Sequence, residues 1–299
     1  MRWEDFRQSA NIEDRRGEDE SSGGGFGLPF GGGGLGMGTI IVLGILGYAL
    51  GIDPRLLIGG AEMISQRHPT QYVEPSRNAG RTSTPPTDQM GRFVSAVVAQ
   101  TEDVWGDILP AQKNLKYTPP RLVMFDGRTN SACGQAQSAM GPFYCPVDQK
   151  VYLDTSFFND MKRRLGGGGD FAYAYVIAHE VGHHVENQLG ILGRAQRAQQ
   201  QSSKVEANRI SVRVELMADC FAGVWAANAD KKWQILEKGD LEKAIATAQA
   251  IGDDRLQQSA RGSVVPDSFT HGSSAQRVEW LQRGLQSGRI DSCNTFARQ

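Results

Sequence analysis

The sequence has 299 residues, enough for about two domains or for one larger domain with appended segments. It contains 32 Lys and Arg against 33 Asp and Glu, so the net charge is −1. This balance excludes a strongly basic nucleic-acid-binding protein, which needs clustered positive charge. The 36 glycines fall in clusters rather than at every third position, which excludes collagen.

Three segments precede the part of the chain that is predicted to be globular. Residues 1–34 are charged and then glycine-rich, so we expect a flexible segment that cannot bury enough apolar surface to fold. Residues 35–52 carry no charge and predict one transmembrane helix, with a buried core helix as the alternative. Residues 53–88 are rich in Pro, Ser and Thr and predict a linker between membrane and domain.

Residues 89–299 are predicted to form one globular domain of the α+β class. Apolar residues spaced by three, four and seven predict helices, and short apolar runs after turn residues predict strands. The glycine run 166–169 predicts a hinge. The elements are expected, in chain order, as a helix from residue 89, strands at 121–125 and 150–153, and helices at 154–164, 170–190 and from about 273.

The predicted helix 170–190 contains the pattern HExxH, from His179 to His183. Two histidines four residues apart lie on one face of a helix, so both imidazoles can bind one zinc ion. Glu180 follows His179 directly and can accept a proton from the attacking water. Five histidines in the whole chain make a chance occurrence of this pattern improbable.

A catalytic zinc site needs a third protein ligand and one open position. We expect that ligand to be Glu215, because the 32 residues after His183 leave room for a turn and a second helix. Asp219 lies four residues later and shares the same helix face. It is predicted to accept a hydrogen bond from the free ring N–H of His179 and so to fix its tautomer.

Two other glutamates are alternatives to Glu215. Glu186 would be a third ligand from the same helix as His183. Three ligands from one helix surround a metal ion tetrahedrally less easily than two ligands from one helix and one from another. Glu206 lacks an acidic residue four positions later. His184 points about 100° away from His183 on a helix, so we expect it to miss the metal.

The sequence HEVGH followed by ELMAD resembles the gluzincin metallopeptidases, which use HExxH and a downstream ExxxD. More of the chain is similar to the bacterial neutral zinc metallopeptidase family, including the glycine-rich leader and the apolar segment. This resemblance implies a zincin-like fold with an HExxH helix and a second ligand-bearing helix, bound Zn²⁺, and hydrolysis of peptide bonds. The matching stretches are residues 131–154, 176–190, 214–225 and 268–280.

Two further features, a loop histidine after the predicted metal ligands and a strand before them, extend the predicted site. Gluzincins often use a His or Tyr to donate a hydrogen bond to the oxyanion, and the resemblance supports that role for His271. The alternatives are a surface histidine without function, or Arg277 in the same role. Arg277 could instead pair with Glu279 or an aspartate. An edge strand at 143–145 is expected to hold an extended substrate by backbone pairing.

The four cysteines are expected to form the disulfides Cys133–Cys145 and Cys220–Cys293, although the other pairings and four free thiols remain open. Disulfides form in oxidising compartments. The segments on either side of residues 35–52 carry nearly equal positive charge, so the charge does not set the orientation of the chain in the membrane. The cysteines therefore decide it. We expect a cytoplasmic N-terminus and a catalytic domain that is extracytoplasmic, either periplasmic or extracellular.

The sequence thus predicts a single-pass membrane-anchored zinc metallopeptidase that acts on peptides or proteins and binds no nucleic acid. Glu180 is its expected general base. Two alternatives remain open. One is a membrane-tethered zinc protein that binds partners without catalysis, and the other is a zinc hydrolase that acts on a non-peptide amide.

Overall fold

The computed structural model describes residues 1–17, 86–137, 141–164 and 168–297. The predicted transmembrane helix 35–52 and nearly all of the predicted linker 53–88 lie outside these ranges, as do the first two residues of the glycine run 166–169. Within the described ranges, no helix is both long enough and apolar enough to span a bilayer.

The described residues form strands and helices in an α+β arrangement, which confirms the predicted class. Each helix and strand predicted from periodicity is present within a few residues of its expected bounds. In chain order the elements are β1 (Ile12–Asp14), α1 (Gln89–Lys113), β2 (Arg121–Phe125), β3 (Arg128–Ser131), β4 (Gly134–Gln137), β5 (Phe143–Cys145), β6 (Lys150–Asp154), α2 (Ser156–Arg164), α3 (Asp170–Gln188), α4 (Ile191–Gln200), α5 (Lys204–Trp233), α6 (Asp240–Ala250), α7 (Asp253–Arg261) and α8 (Ser274–Ser287).

Four strands form one sheet in the order β1-β2-β6-β5. β1, β2 and β6 run parallel, with Ile12 opposite Leu122 and Leu122 opposite Val151. β5 runs antiparallel to β6. β2 and β6 are buried beyond their first residue, as is typical of parallel strands covered on both faces. Among the described strands, β5 pairs with β6 alone, so it is an edge strand of this sheet, as predicted for 143–145.

Residues 1–17 pack into the same unit as residues 85–299, which corrects the prediction of a flexible segment for that part of 1–34, whereas residues 18–34 lie outside the described ranges. β1 pairs with β2, and the indole of Trp3 is 6% exposed. Its N–H donates to Asp170, the first residue of α3, at 2.9 Å. Composition missed this because a few scattered apolar residues here bury against distant parts of the chain rather than against each other.

The same packing constrains any membrane topology. Residues 1–17 and 85–299 belong to one compact unit, and Arg16 pairs with Asp88 at 2.6 Å across the intervening segment. A single crossing at 35–52 would separate these two parts by a bilayer. The predicted orientation would place β1 and β2, which pair in the structure, on opposite sides of the membrane, and it stays a prediction. Membrane attachment itself stays a prediction.

Helix α3 lies at the centre of the unit and packs against α1, α5 and α6. It is buried on most of its circumference, as expected for a helix that is apolar on nearly all faces. Its polar residues are therefore placed in the interior, where each must find a partner. The partners of these residues define the candidate site.

Candidate metal centre

Two histidines of α3 and one glutamate of α5 converge on one point. The Nε2 atoms of His179 and His183 lie 3.2 Å and 3.5 Å from the two carboxylate oxygens of Glu215. The donor set fits zinc, and the structure brings together the three residues selected from the sequence, with one ligand atom from each lying within 4.8 Å of the others.

In each histidine, the ring nitrogen that faces away from Glu215 contacts a buried carboxylate. Nδ1 of His179 lies 2.9 Å from Asp219, and Nδ1 of His183 lies 2.8 Å from Glu186. Both carboxylates are 0% exposed. An ionised carboxylate there keeps the proton on Nδ1 and leaves the Nε2 lone pair free for a metal. Asp219 thus lies where the sequence placed it, and Glu186 partners a histidine rather than competing with Glu215.

Two other residues weighed from the sequence lie away from this point. Glu206 lies near the start of α5 and pairs with Arg209 at 3.6 Å on the surface. His184 is buried, with Nδ1 3.0 Å from the Tyr144 hydroxyl and Nε2 2.7 Å from the Thr118 carbonyl oxygen. Both ring nitrogens of His184 thus contact oxygens outside the cluster of His179, His183 and Glu215. Its ring instead connects α3 to the edge strand β5.

Gly182 lets α5 approach α3 closely enough for Glu215 to reach the histidines. A Cβ atom at Gly182 would lie 3.0 Å from the carbonyl oxygen of Ala218. That separation is tighter than a normal Cβ contact, so a side chain here would push α5 away. The glycine within HEVGH therefore serves the site through packing, a role that spacing along the sequence does not reveal.

The electrostatic field of the centre favours positive charge. Burial alone would lower the pKa of both imidazoles, but the neighbouring carboxylates raise the pKa of His179 to about 9 and that of His183 well above its ordinary value. Burial alone would raise the pKa of Glu215, yet the histidines hold it well below the usual range. A divalent cation supplies the positive charge that this arrangement stabilises.

Glu180 lies beside the ligands and is 8% exposed. Burial raises the pKa of its carboxyl group, and the charges on His179 and His183 partly offset that rise. A carboxylate whose pKa is moved toward neutrality is a more effective proton acceptor than a solvated glutamate. The position and environment of Glu180 thus suit the role predicted for it.

His271 lies on a loop that a buried aspartate holds in place. Oδ2 of Asp253 accepts hydrogen bonds from the backbone N–H groups of Thr270, His271 and Gly272 at 2.7, 2.7 and 3.0 Å. The imidazole is 39% exposed, with Nδ1 3.2 Å from Asp253, and its charge contributes to lowering the pKa of Glu215. Sequence analysis missed Asp253, since an aspartate at a helix start reads as an ordinary helix-capping signal.

Both predicted disulfides are present, which confirms the expected pairing. Cys133–Cys145 joins the turn between β3 and β4 to the edge strand β5. Cys220–Cys293 ties the C-terminal region to α5, one residue after Asp219. One disulfide therefore restrains β5 and the other restrains α5, the helix that carries Glu215.

Fold and site together define an α+β protein with a candidate His₂Glu metal site formed by an HExxH helix and a second helix. The chain belongs to the family described as "Putative neutral zinc metallopeptidase", which it matches over residues 1–296. The whole chain is 48% identical over 301 residues to "Uncharacterized protein YpfJ" of Escherichia coli K12, covering 99% of that protein. It is 40% identical over 262 residues to "Uncharacterized protein Rv2575" of Mycobacterium tuberculosis, covering 83% of this chain and 84% of that protein. No solved structure matches at a significant level.

Proposed function

We propose that this protein is a zinc-dependent metallopeptidase that hydrolyses peptide bonds with Glu180 as its general base. One observation carries the proposal. The Nε2 atoms of His179 and His183 both face the Glu215 carboxylate, with one ligand atom from each residue within 4.8 Å of the others, while both Nδ1 atoms contact buried carboxylates. Three protein ligands leave a fourth position open, and an open position distinguishes catalytic zinc from structural zinc.

In this mechanism the protein's own residues move the protons. Zinc at the centre would supply Lewis acidity toward a carbonyl oxygen and toward water. Glu180 takes a proton from the attacking water and passes it to the leaving amine. His271 donates a hydrogen bond to the oxyanion, with its ring held by Asp253. An extended peptide pairs with the edge strand β5, whose outer side is not occupied by another described strand.

Zinc content tests the ligand assignment. Elemental analysis of the purified chain, prepared without chelators, should give about one zinc per chain, the ratio expected for a single catalytic site. His183→Ala and Glu215→Ala should lose it. Glu206→Ala removes an exposed glutamate from the same helix as Glu215 and should retain it. Zinc retained in Glu215→Ala would refute this ligand set.

Hydrolysis tests the enzyme assignment separately. Wild-type protein loaded with zinc should cleave quenched fluorescent casein, and Glu180→Gln should keep its zinc but lose this activity. Activity retained in a clean preparation of Glu180→Gln would refute the role of Glu180. Zinc without cleavage in the wild type would instead favour a binding protein or a hydrolase of non-peptide amides.

We further propose that the apolar segment 35–52 attaches the protein to a membrane, with residues 1–17 and 85–299 on the same, extracytoplasmic side. Two disulfides support an oxidising compartment. The packing of β1 in the unit supports a shared side for both flanking parts of the chain.

Cysteine labelling tests this topology. Arg2→Cys and Val147→Cys each place a new thiol at an exposed position. A membrane-impermeant maleimide should label both in intact cells. Labelling of Val147→Cys alone would restore a single crossing with a cytoplasmic N-terminus. Labelling of neither before lysis would place the unit in the cytoplasm.

A further inference from the structure

We propose that Arg277 is a positioning residue of the metal centre, which acts through Asp219 on His179. The proposal rests on the zinc site proposed above and extends it by one residue. Arg277 lies on α8, outside both ligand-bearing helices. Its side chain is 4% exposed, and it contacts a carboxylate that is 0% exposed.

The contacts form a continuous chain to the ligand. Arg277 donates from Nε to one oxygen of Asp219 and from its terminal nitrogen to the other, both at 2.9 Å. Tyr175 donates its hydroxyl to Asp219 at 2.6 Å. His179 contacts the same oxygen as Tyr175, at 2.9 Å. Of these donors, only Arg277 holds both carboxylate oxygens, and a two-point fork fixes orientation as well as position.

The backbone around Arg277 is held closely against α5. A Cβ atom at Gly284 would lie 2.0 Å from the Cys220 carbonyl oxygen, and one at Gly223 would lie 2.2 Å from the Leu281 carbonyl oxygen. The two helices therefore cross at near-backbone contact. The disulfide beside Asp219 adds a covalent tie close to this crossing.

The start of α8 is fixed as well. Ser273 and Gln276 form a capping box there, and Asp254 accepts hydrogen bonds from both the backbone N–H and the hydroxyl of Ser274. The Arg277 guanidinium is thus delivered by a rigid element. Rigid delivery is what a group needs if it is to fix the orientation of a ligand's partner.

Charge alone predicts that zinc binds more tightly when Arg277 is removed. A guanidinium near a dication repels it, so simple Coulomb reasoning expects removal of Arg277 to tighten zinc binding. The geometry predicts weaker binding. Without the fork, the Asp219 carboxylate keeps donors on one oxygen only and is free to rotate, and His179 then loses its fixed ring orientation. The sign of the change therefore separates the two explanations.

The test measures the zinc dissociation constant of the full chain by competition with a chromophoric chelator. Arg277→Met should weaken zinc binding by about tenfold, the lower end of the effect of removing a partner next to a ligand histidine. The visible spectrum of the Co²⁺-substituted protein should also change. Arg277→Lys, which keeps the charge but not the fork, should recover only part of the affinity. Arg283→Met is the matched control, because Arg283 lies exposed on the same helix and pairs with Glu279.

A double-mutant cycle tests the route through Asp219. In the Asp219→Asn background, Arg277→Met should change the zinc dissociation constant by less than about twofold, because coupled residues are not additive. This double variant also removes both buried charges together. If Arg277→Met does not fold by circular dichroism, Arg277→Lys replaces it, with about threefold weaker binding expected because the lysine keeps one contact and so loses only part of the roughly tenfold effect.

The possible failures are distinct. A wild type that binds no zinc would overturn this inference together with the proposed function. Normal zinc binding in the wild type, with unchanged or tighter binding in Arg277→Met or its Lys replacement, would overturn the positioning role alone. Equal effects of Arg277→Met in the presence and absence of Asp219 would overturn the route through that residue.

Discussion

Removing the Trp3 side chain is the sharpest test of how the N-terminal residues contribute to the fold. Trp3 is 6% exposed and packs edge-on against Phe93 with ring centroids 5.4 Å apart. Its N–H donates to Asp170 at the start of the HExxH helix. Truncation of a buried tryptophan to alanine costs about 3–5 kcal/mol. We therefore expect Trp3→Ala to lower the free energy of unfolding by about that amount, since the aromatic contact and the hydrogen bond are lost together.

The assay is urea unfolding of the purified full-length chain, followed by far-ultraviolet circular dichroism. Arg2→Ala is the control, because Arg2 is exposed and surface changes usually stay within about 0.5 kcal/mol. A loss below about 1 kcal/mol in Trp3→Ala, well short of the cost of a buried tryptophan, would refute the packing of residues 1–17 against the unit. It would also remove the objection to a single membrane crossing.

Three further predictions concern stability around the centre. Gly284→Ala should lower the free energy of unfolding by about 1–3 kcal/mol, because the added methyl group would overlap the Cys220 carbonyl oxygen. The double variant Cys220→Ala and Cys293→Ala opens a link with a sequence separation of 73 residues and should cost about 4 kcal/mol in urea unfolding. Hydrogen bonds from Arg16 lower the pKa of Asp88 to about 2, so the stability that the ionised carboxylate contributes is present above about pH 4 and is lost as the pH falls toward 2. Asp88→Asn keeps a helix-capping side chain, so its urea midpoint should lie below that of the wild type near pH 6 and approach it near pH 2.

Each of these predictions has an outcome that contradicts it. Gly106 lies in helix α1 with open space around it, so Gly106→Ala should not destabilise the chain. Equal effects of Gly106→Ala and Gly284→Ala would show that the α5–α8 crossing is looser than described. A disulfide variant as stable as the wild type would contradict the role of that bridge. A constant difference between Asp88→Asn and wild type across the pH range would show that the ion pair does not stabilise the fold.

The elements that sequence analysis located correctly share a local cause. The helix 170–190 and the HExxH face follow from a period of 3.6 residues, which brings His179 and His183 onto one side whatever the rest of the chain does. Asp219 shares a helix face with Glu215 for the same reason. The HExxH pattern then gave the expectation of Zn²⁺, and the family resemblance gave that of peptide hydrolysis.

The partners that sequence analysis missed or left open depend on contacts between distant elements. Arg277 lies 58 residues from Asp219, and the choice between that aspartate and Glu279 was undecided until α8 was placed against α5. Glu186 is near His183 in sequence, yet whether it binds a metal or the imidazole depends on where Glu215 enters. The spacing of residues along the sequence does not show where Glu215 lies relative to His183.

The sequence by itself determined which residues form the candidate site: two histidines and a glutamate able to hold zinc, and the glutamate proposed as general base, with cysteines that pair as expected. The tertiary structure decided what orients those groups and which parts of the chain lie together. It placed Asp253 under the loop of His271 and brought Trp3 to Asp170, 167 residues away. The physical reason is that helix periodicity is a property of neighbouring residues, whereas burial and charge pairing arise only when separate elements pack.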